Sequence, residues 1–328
     1  MSKQGGMWPP EALLDAIRRE DDFMIVGHID PDPDSTGSVL AMQRLLLALG
    51  KNTVVVTPDP LPAHVQFLPG SEDMLLPDQV TSESWRHLIV LDCGTERIGN
   101  AQPFVERAGI IVNIDHHGTN PGTGHFNWVD TQFAATTQMV YTLFDAFEVG
   151  IDADAATLLY TGLAGDTGTF RFSNTDSHVL RMAAHLVEAG ADPTRISQNL
   201  YESHSLAYLR LVAKMLDTVK TAFDERVVYA RLTESMRQQA GMQAGEGGGL
   251  IQYLRMVKSA EVVFLLEEVG ETEVKVQFRS RSAVDVSRLA HALGGGGHAR
   301  AAGCRLTATL DEAETTVLSH IGAVLATT

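Results

Sequence analysis

Phe23-Met24-Ile25-Val26-Gly27-His28-Ile29-Asp30-Pro31-Asp32-Pro33-Asp34 is an apolar run that ends in an imidazole and alternating acids. The pattern recurs twice. Leu88-Ile89-Val90-Leu91 leads into Asp92-Cys93-Gly94, and Ile110-Ile111-Val112-Asn113-Ile114 leads into Asp115-His116-His117-Gly118. Short continuous apolar runs suit strands buried on both faces of a parallel sheet. Ligands of such sheets bind beyond the carboxyl ends of the strands. Three runs that all end in acids and imidazoles therefore predict one shared crevice.

Working outward, strands and helices alternate up to about residue 190. Residues 37–49 (GSVLAMQRLLLAL) form a helical pattern stopped by Gly50, and 52–56 form the next strand. Residues 136–147, 153–163 and 176–189 read as helices. The alternation predicts an α/β fold with a doubly wound parallel sheet. Residues 192–216 read as a helical connection. Beyond it, 226–230 is a strand, and 260–266 and 273–278 flank Gly270-Glu271 as a hairpin. A short helix at 286–293, four glycines, a strand near 304–308 and a terminal helix from Asp311 follow. The expected organisation is a domain at 1–191, a linker at 192–216 and a smaller mixed α/β domain at 217–328. The active site is expected in the cleft between the two domains.

At 328 residues the chain can bury two cores, and 44% hydrophobic with 20% charged residues describes an ordinary soluble globular protein. No apolar stretch approaches the roughly 20 residues of a membrane span. The N-terminus lacks the apolar core of a secretory signal, and two cysteines make no disulfide framework, so a cytoplasmic location is expected. The formal net charge is −16. Proteins that hold long nucleic acids usually carry a basic face, because phosphate neutralisation supplies much of the affinity. An acidic chain acting on phosphate esters must rely on bound cations and a few local arginines. Small or short substrates are therefore expected, with neither long duplex nucleic acid nor membrane as a partner.

His28, Asp32, Asp34, Asp92, His116 and Asp166 supply four carboxylates and two imidazoles. Asp166 lies in Gly162-Leu163-Ala164-Gly165-Asp166-Thr167-Gly168, where the helical pattern is expected to break. Such a set suffices for two divalent cations sharing one carboxylate. Cations about 3.5–4 Å apart can activate a water and clamp a phosphoryl group. Mixed oxygen and nitrogen donors suit manganese, with magnesium or cobalt as substitutes.

These residues resemble the signatures of the DHH phosphoesterases: His28-x-x-x-Asp32-x-Asp34, Asp92-x-Gly94, Asp115-His116-His117 and Asp166-Thr167-Gly168. Gly294-Gly295-Gly296-Gly297-His298-x-x-Ala301-x-Gly303 resembles the DHH-associated C-terminal domain. The nanoRNase/pAp phosphatase type is the most similar subfamily. The resemblance implies hydrolysis of short oligoribonucleotides of about 2–5 nucleotides and dephosphorylation of 3′-phosphoadenosine 5′-phosphate (pAp). It implies one cation on His28, Asp32 and Asp92, and another on Asp34, Asp92, His116 and Asp166. By the same resemblance Asp92, His116 and His117 are catalytic, His117 facing the substrate phosphate, and Asp115 orients an imidazole. Pro33 stands where the family usually has glycine.

In the second half, a glycine run can point backbone N–H groups at an anion, and His298 follows it directly. Arg279 and Arg281 flank Ser280 at a strand end, on one face by a period of two. Arg279, Ser280, Arg281, Gly295, Gly296, Gly297 and His298 are the expected substrate-binding residues. Gly245-Glu246-Gly247-Gly248-Gly249 reads as a loop before a helix near Leu250. Within the enzyme class the alternative is a cyclic-di-AMP or linear dinucleotide phosphodiesterase. Outside it stands a non-catalytic nucleotide-binding regulator, whose sign would be a missing ligand. All six ligand positions are filled. The oligomeric state is not fixed by the sequence, and a homodimer is compatible with it.

Overall fold

The computed structural model describes residues 7–81, 85–242, 249–270, 272–281 and 284–325. The chain divides into two compact units, Met1–Ser203 and His204–Thr328.

The first unit is built on five parallel strands: β1 (Phe23–Val26), β2 (Thr53–Val56), β3 (His87–Leu91), β4 (Ile110–Asp115) and β5 (Phe126–Val129). Their order is β2-β1-β3-β4-β5. All four residues of β1 are buried, which explains why the run carries no polar alternation. Phe23 and Ile25, with Ile89, Leu91, Val112 and Ile114, pack into one core. That core takes in α1 (Glu11–Arg19), α2 (Pro33–Ala48), α4 (Thr136–Ala146), α5 (Ala153–Asp166), α6 (Ser177–Glu188) and α7 (Pro193–Tyr201). Met24, Val26, Leu88 and Val90 point the other way, onto Trp85 just before β3, Ile98 in the turns after it and Phe104 of α3 (Pro103–Arg107). Burying each such side chain stabilises the fold by roughly 1.5–3 kcal/mol. The chain leaves β1 for β2 on one side and crosses back to β3 on the other. The carboxyl ends of β1 and β3 therefore flank a topological switch point.

The second unit is a mixed sheet ordered β10-β11-β9-β8-β7-β6. Its strands are β6 (Lys220–Ala222), β7 (Val227–Leu232), β8 (Val262–Gly270), β9 (Glu273–Ser280), β10 (Gly296–His298) and β11 (Ala301–Thr307). Only β7 and β8 run parallel. One face, with Val274, Val276 and Phe278, packs on α11 (Val286–Ala292) and α12 (Leu310–Leu325). The other, with Val228, Ala230, Val263 and Leu265, packs on α8 (Leu206–Leu216), α9 (Glu234–Ala240) and α10 (Ile251–Leu254).

Residues 192–216 supply one helix to each unit. Ile196 and Leu200 of α7 join the first core, and Leu211 and Met215 of α8 join a core of the second. The glycine-rich segment at 245–248 and Glu271 lie outside the described residues. Among those described, no helix is long and apolar enough to cross a membrane.

Candidate metal centre

The loop after β1 turns tightly because Gly27 has no side chain. A Cβ there would strike the Ser35 hydroxyl, which accepts a bond from the His28 N–H at 3.2 Å. Asp32 then caps α2, its Oδ1 accepting from the N–H groups of Asp34 and Ser35 at 2.9 Å each. Pro33 occupies the first helical position, where proline's fixed φ and missing donor do no harm. That placement accounts for proline at a position where glycine was expected.

After β3 the chain reverses at Asp92, whose φ of 65° lies in the left-handed region. The turn is pinned from below. The Asp92 N–H donates to Ile114 O at 3.0 Å, and the buried Asn113 amide donates to Cys93 O at 2.6 Å. After β4, Asp115 is fully buried. Its Oδ1 lies 2.6 Å from His117 Nδ1, and its Oδ2 accepts from Asn120 Nδ2 at 2.7 Å.

Asp166 is the last residue of α5. Sequence reading ends the helix at Leu163, among glycines, but it runs unbroken to Asp166. The interior glycines, each costing about 1 kcal/mol relative to alanine, serve packing instead. A Cβ on Gly162 would lie 2.7 Å from Asp34 Oδ1, and one on Gly165 would lie 2.9 Å from Pro33 Cβ. Close approach of α5 to α2 is what brings Asp166 to Asp34.

The six residues expected from sequence come together as two groups of donors. His28 Nε2 lies 3.3 Å from Asp92 Oδ2 and 3.7 Å from Asp32 Oδ2. His116 Nε2 lies 3.1 Å from Asp166 Oδ2, 3.7 Å from Asp34 Oδ2 and 3.4 Å from Asp92 Oδ1. Asp92 thus turns one oxygen toward each group.

The donor set fits metal ions on two counts. Each ligand imidazole has Nδ1 near a carbonyl, His28 at 2.6 Å from Ile29 O and His116 at 3.3 Å from Phe133 O. A carbonyl only accepts, so Nδ1 carries a proton and Nε2 is the atom that faces the carboxylates. Between Nε2 and a carboxylate oxygen there is room for a proton or, in its place, a metal ion. Separations of 3.1–3.7 Å suit atoms sharing one ion at about 2.1 Å each. Charge gives the second count. Burial, then the charges of Asp92 and Asp166, push the Asp34 carboxyl well above its ordinary range. At Asp92 burial acts in the same sense, but His116 and His28 overcome it and hold that carboxyl well below. Burial lowers His28, yet Asp32 and Asp92 raise it well above an ordinary histidine. The cluster holds protons that a divalent cation displaces on binding.

Sequence reading missed Thr136 and Thr137. Their N–H groups, at the start of α4, donate to Asp34 Oδ2 and Oδ1 at 2.6 and 2.9 Å. The Thr137 hydroxyl reaches Asp34 Oδ1 at 2.7 Å, and the Thr136 hydroxyl reaches Asp92 Oδ1 at 2.9 Å. Two threonines opening a helix are a common sequence feature, so only the fold reveals that they aim two carboxylates.

The substrate-binding residues expected in the second unit divide. In register, His298 pairs with Ala301 and Ala301 with Arg279 across β10, β11 and β9, and the His298 side chain lies outside what the structure describes. Ser280 alternates onto the buried side, where its hydroxyl donates to Ala299 O at 3.3 Å. Arg281 lies past the end of β9, and its guanidinium donates to the carbonyls of Arg255 and Lys258 at 2.6 and 3.3 Å. The Arg300 guanidinium meets Val284 O and Ser280 Oγ. The glycine run does have a packing role. A Cβ on Gly295 would lie 2.6 Å from Cys304 Cβ. Gly297, at φ 134°, would bring one 2.6 Å from Ala301 O. Only Gly296 in this trio has open space around its Cα.

Residues 22–163 match the DHH family, N-terminal domain, and residues 224–327 match the DHHA1 domain. The chain is 38% identical over 307 residues to the bifunctional oligoribonuclease and PAP phosphatase NrnA of Thermus thermophilus, spanning 92% of this chain and 90% of that one. The chain belongs to the DHH family. As a DHH phosphoesterase it is a hydrolase. It is also 29% identical to NrnA of Bacillus subtilis, over 92% of this chain and 94% of the relative. An exopolyphosphatase-related protein from Bacteroides fragilis superposes with a TM-score of 0.87 at 25% identity, covering 98% of each chain.

Proposed function

We propose that this DHH phosphoesterase hydrolyses short oligoribonucleotides to mononucleotides and dephosphorylates pAp to AMP, with two divalent cations, manganese foremost. The observation that carries the two-cation reading is Asp92, whose oxygens address His28 and His116 separately. His28, Asp32 and Asp92 would hold one ion, and Asp34, Asp92, His116 and Asp166 the other. Bound there, the pair would supply an activated water and offset charge on the phosphoryl oxygens. The substrate class rests on the relatives' names and on the acidic balance of the chain.

The chain's own residues set the geometry. Thr136 and Thr137 fix Asp34, and the Asn113-pinned turn fixes Asp92, so the carboxylates need little rearrangement when ions and substrate arrive. Asp115 holds His117 by its Nδ1, and His117 is assigned to the scissile phosphate. In the second unit, Arg279 and His298, linked in register through Ala301, are assigned to a phosphate that is not cleaved. Arg279, Ser280 and Arg281 each also donate to a backbone carbonyl, of Phe278, Ala299 and Arg255 respectively.

A net charge of −16 repels a long polyanion. Turnover with manganese should therefore fall beyond about five nucleotides, more steeply at low salt where screening is weakest. The measurement is kcat/KM on 5′-phosphorylated RNAs of about two to twenty-four nucleotides, with pAp alongside, at two ionic strengths. Faster cleavage of the longest RNA at low salt would replace this reading with a general single-strand exonuclease.

A further inference from the structure

The loop that follows Asp166 has a shape that the metal ligands do not explain. Gly168, Thr169 and Phe170 all take positive φ, at 56°, 57° and 61°. Two of the three are not glycine, and Phe170 is bulky, so the backbone is strained there. Strain of this kind persists only where the surroundings fix it, and it gathers at ligand-binding sites. The surroundings here are explicit. The Thr169 hydroxyl donates to Tyr201 Oη at 3.0 Å, and the Phe170 ring meets Tyr160 edge-on. Asn174 Nδ2 donates to Asp166 O and Ala134 O at 3.1 and 3.2 Å, folding the loop back on the end of α5.

What the loop holds out is Arg171. It is exposed, its N–H donates to Thr167 O at 3.0 Å, and its Nε donates to Gly168 O at 2.6 Å. That bond anchors the guanidinium two residues from Asp166, roughly 8 Å of chain at most. Four arginines of the first unit, Arg18, Arg19, Arg44 and Arg86, each meet a carboxylate. Among the described residues, Arg171 has no carboxylate within ion-pair distance, although it follows Asp166 by five residues in an acidic chain. The bond from Nε fixes the plane of the fork while both Nη groups remain available. A fork so held is preorganised for a phosphoryl group.

We propose that Arg171 is a phosphate-binding residue of the metal-bearing unit, taking a phosphoryl oxygen of the nucleotide brought to the carboxylate–imidazole cluster. The inference rests on the phosphoesterase reading above, and it assigns a substrate contact to the first unit that the ligand set does not include.

The test uses the full chain with manganese and compares wild type, Arg171→Ala and Arg171→Lys. Calorimetric titration with AMP measures binding apart from turnover. Steady-state kinetics use a 5′-phosphorylated dinucleotide and pAp, and metal content and Tm are measured in parallel. Arg171→Ala should weaken AMP binding and raise KM by about ten- to a hundredfold, with bound manganese and Tm unchanged. Lysine should restore only part, since it lacks the fork, and millimolar guanidinium ion should partly rescue the alanine variant. Wild-type AMP affinity and KM in Arg171→Ala would overturn the proposal, as would a loss of bound manganese that accounts for the defect. If wild type cleaved neither substrate yet AMP binding still depended on Arg171, the functional reading would fall and the binding site would stand.

Discussion

Asp92→Ala should lower kcat by roughly a thousandfold or more, the scale of losing a group on which the whole catalytic unit depends. Asp92 is the one carboxylate with an oxygen on each donor group, Oδ2 toward His28 and Oδ1 toward His116. Removing any other ligand thins one group, whereas removing Asp92 thins both. The fold should persist. The Asp92 N–H bond to Ile114 O belongs to the backbone, and Asn113 still grips Cys93 O. Loss of a buried carboxylate also relieves repulsion on Asp34. Asp92→Asn is the sharper control, because it keeps the shape and removes the charge. Added manganese should rescue neither variant. Near-normal turnover by either would end the shared-carboxylate assignment.

The second large effect is expected at a residue with no chemistry of its own. Gly162→Ala puts a methyl 2.7 Å from both Asp34 Oδ1 and Thr137 Oγ1, and closer still to Thr137 Cγ2. Asp34 is fully buried in α2, so it can give way only by leaving Thr136 and Thr137 or by pushing α5 outward, which carries Asp166 off. Displacement of a catalytic group by about 1 Å can cost a hundredfold in rate. A fall in kcat of that order is expected. Stability should fall less, because overpacking of about 1–3 kcal/mol is partly offset by alanine's helix propensity. Kinetics and a thermal melt on the same preparation separate the two effects. Wild-type kcat in Gly162→Ala would show that α2 and α5 can part without disturbing the centre.

The parallel sheet was legible because β1, β3 and β4 are apolar without alternation, and the six donors were legible because each group sits at a strand or helix end. Where reading failed, the missing information was tertiary. Gly162 looks like a helix breaker until α2 is seen against it. The packing of Gly295 and Gly297 against β11 is likewise visible only in the fold. Period two could not show that β9 ends before Arg281, whose fork then binds carbonyls. β5, the edge strand at Phe126–Val129, has mixed burial and gives no clean pattern. Thr136 and Thr137 reach Asp34 across about a hundred residues of sequence, a pairing that no local rule anticipates.

In the proposed centre two ions share Asp92. Its most direct test is metal stoichiometry: manganese bound per chain after dialysis, by elemental analysis, for wild type and Asp92→Asn side by side. About two equivalents are expected in wild type and less than one in the variant, with both proteins folded. One equivalent in wild type, or two retained in Asp92→Asn, would contradict it.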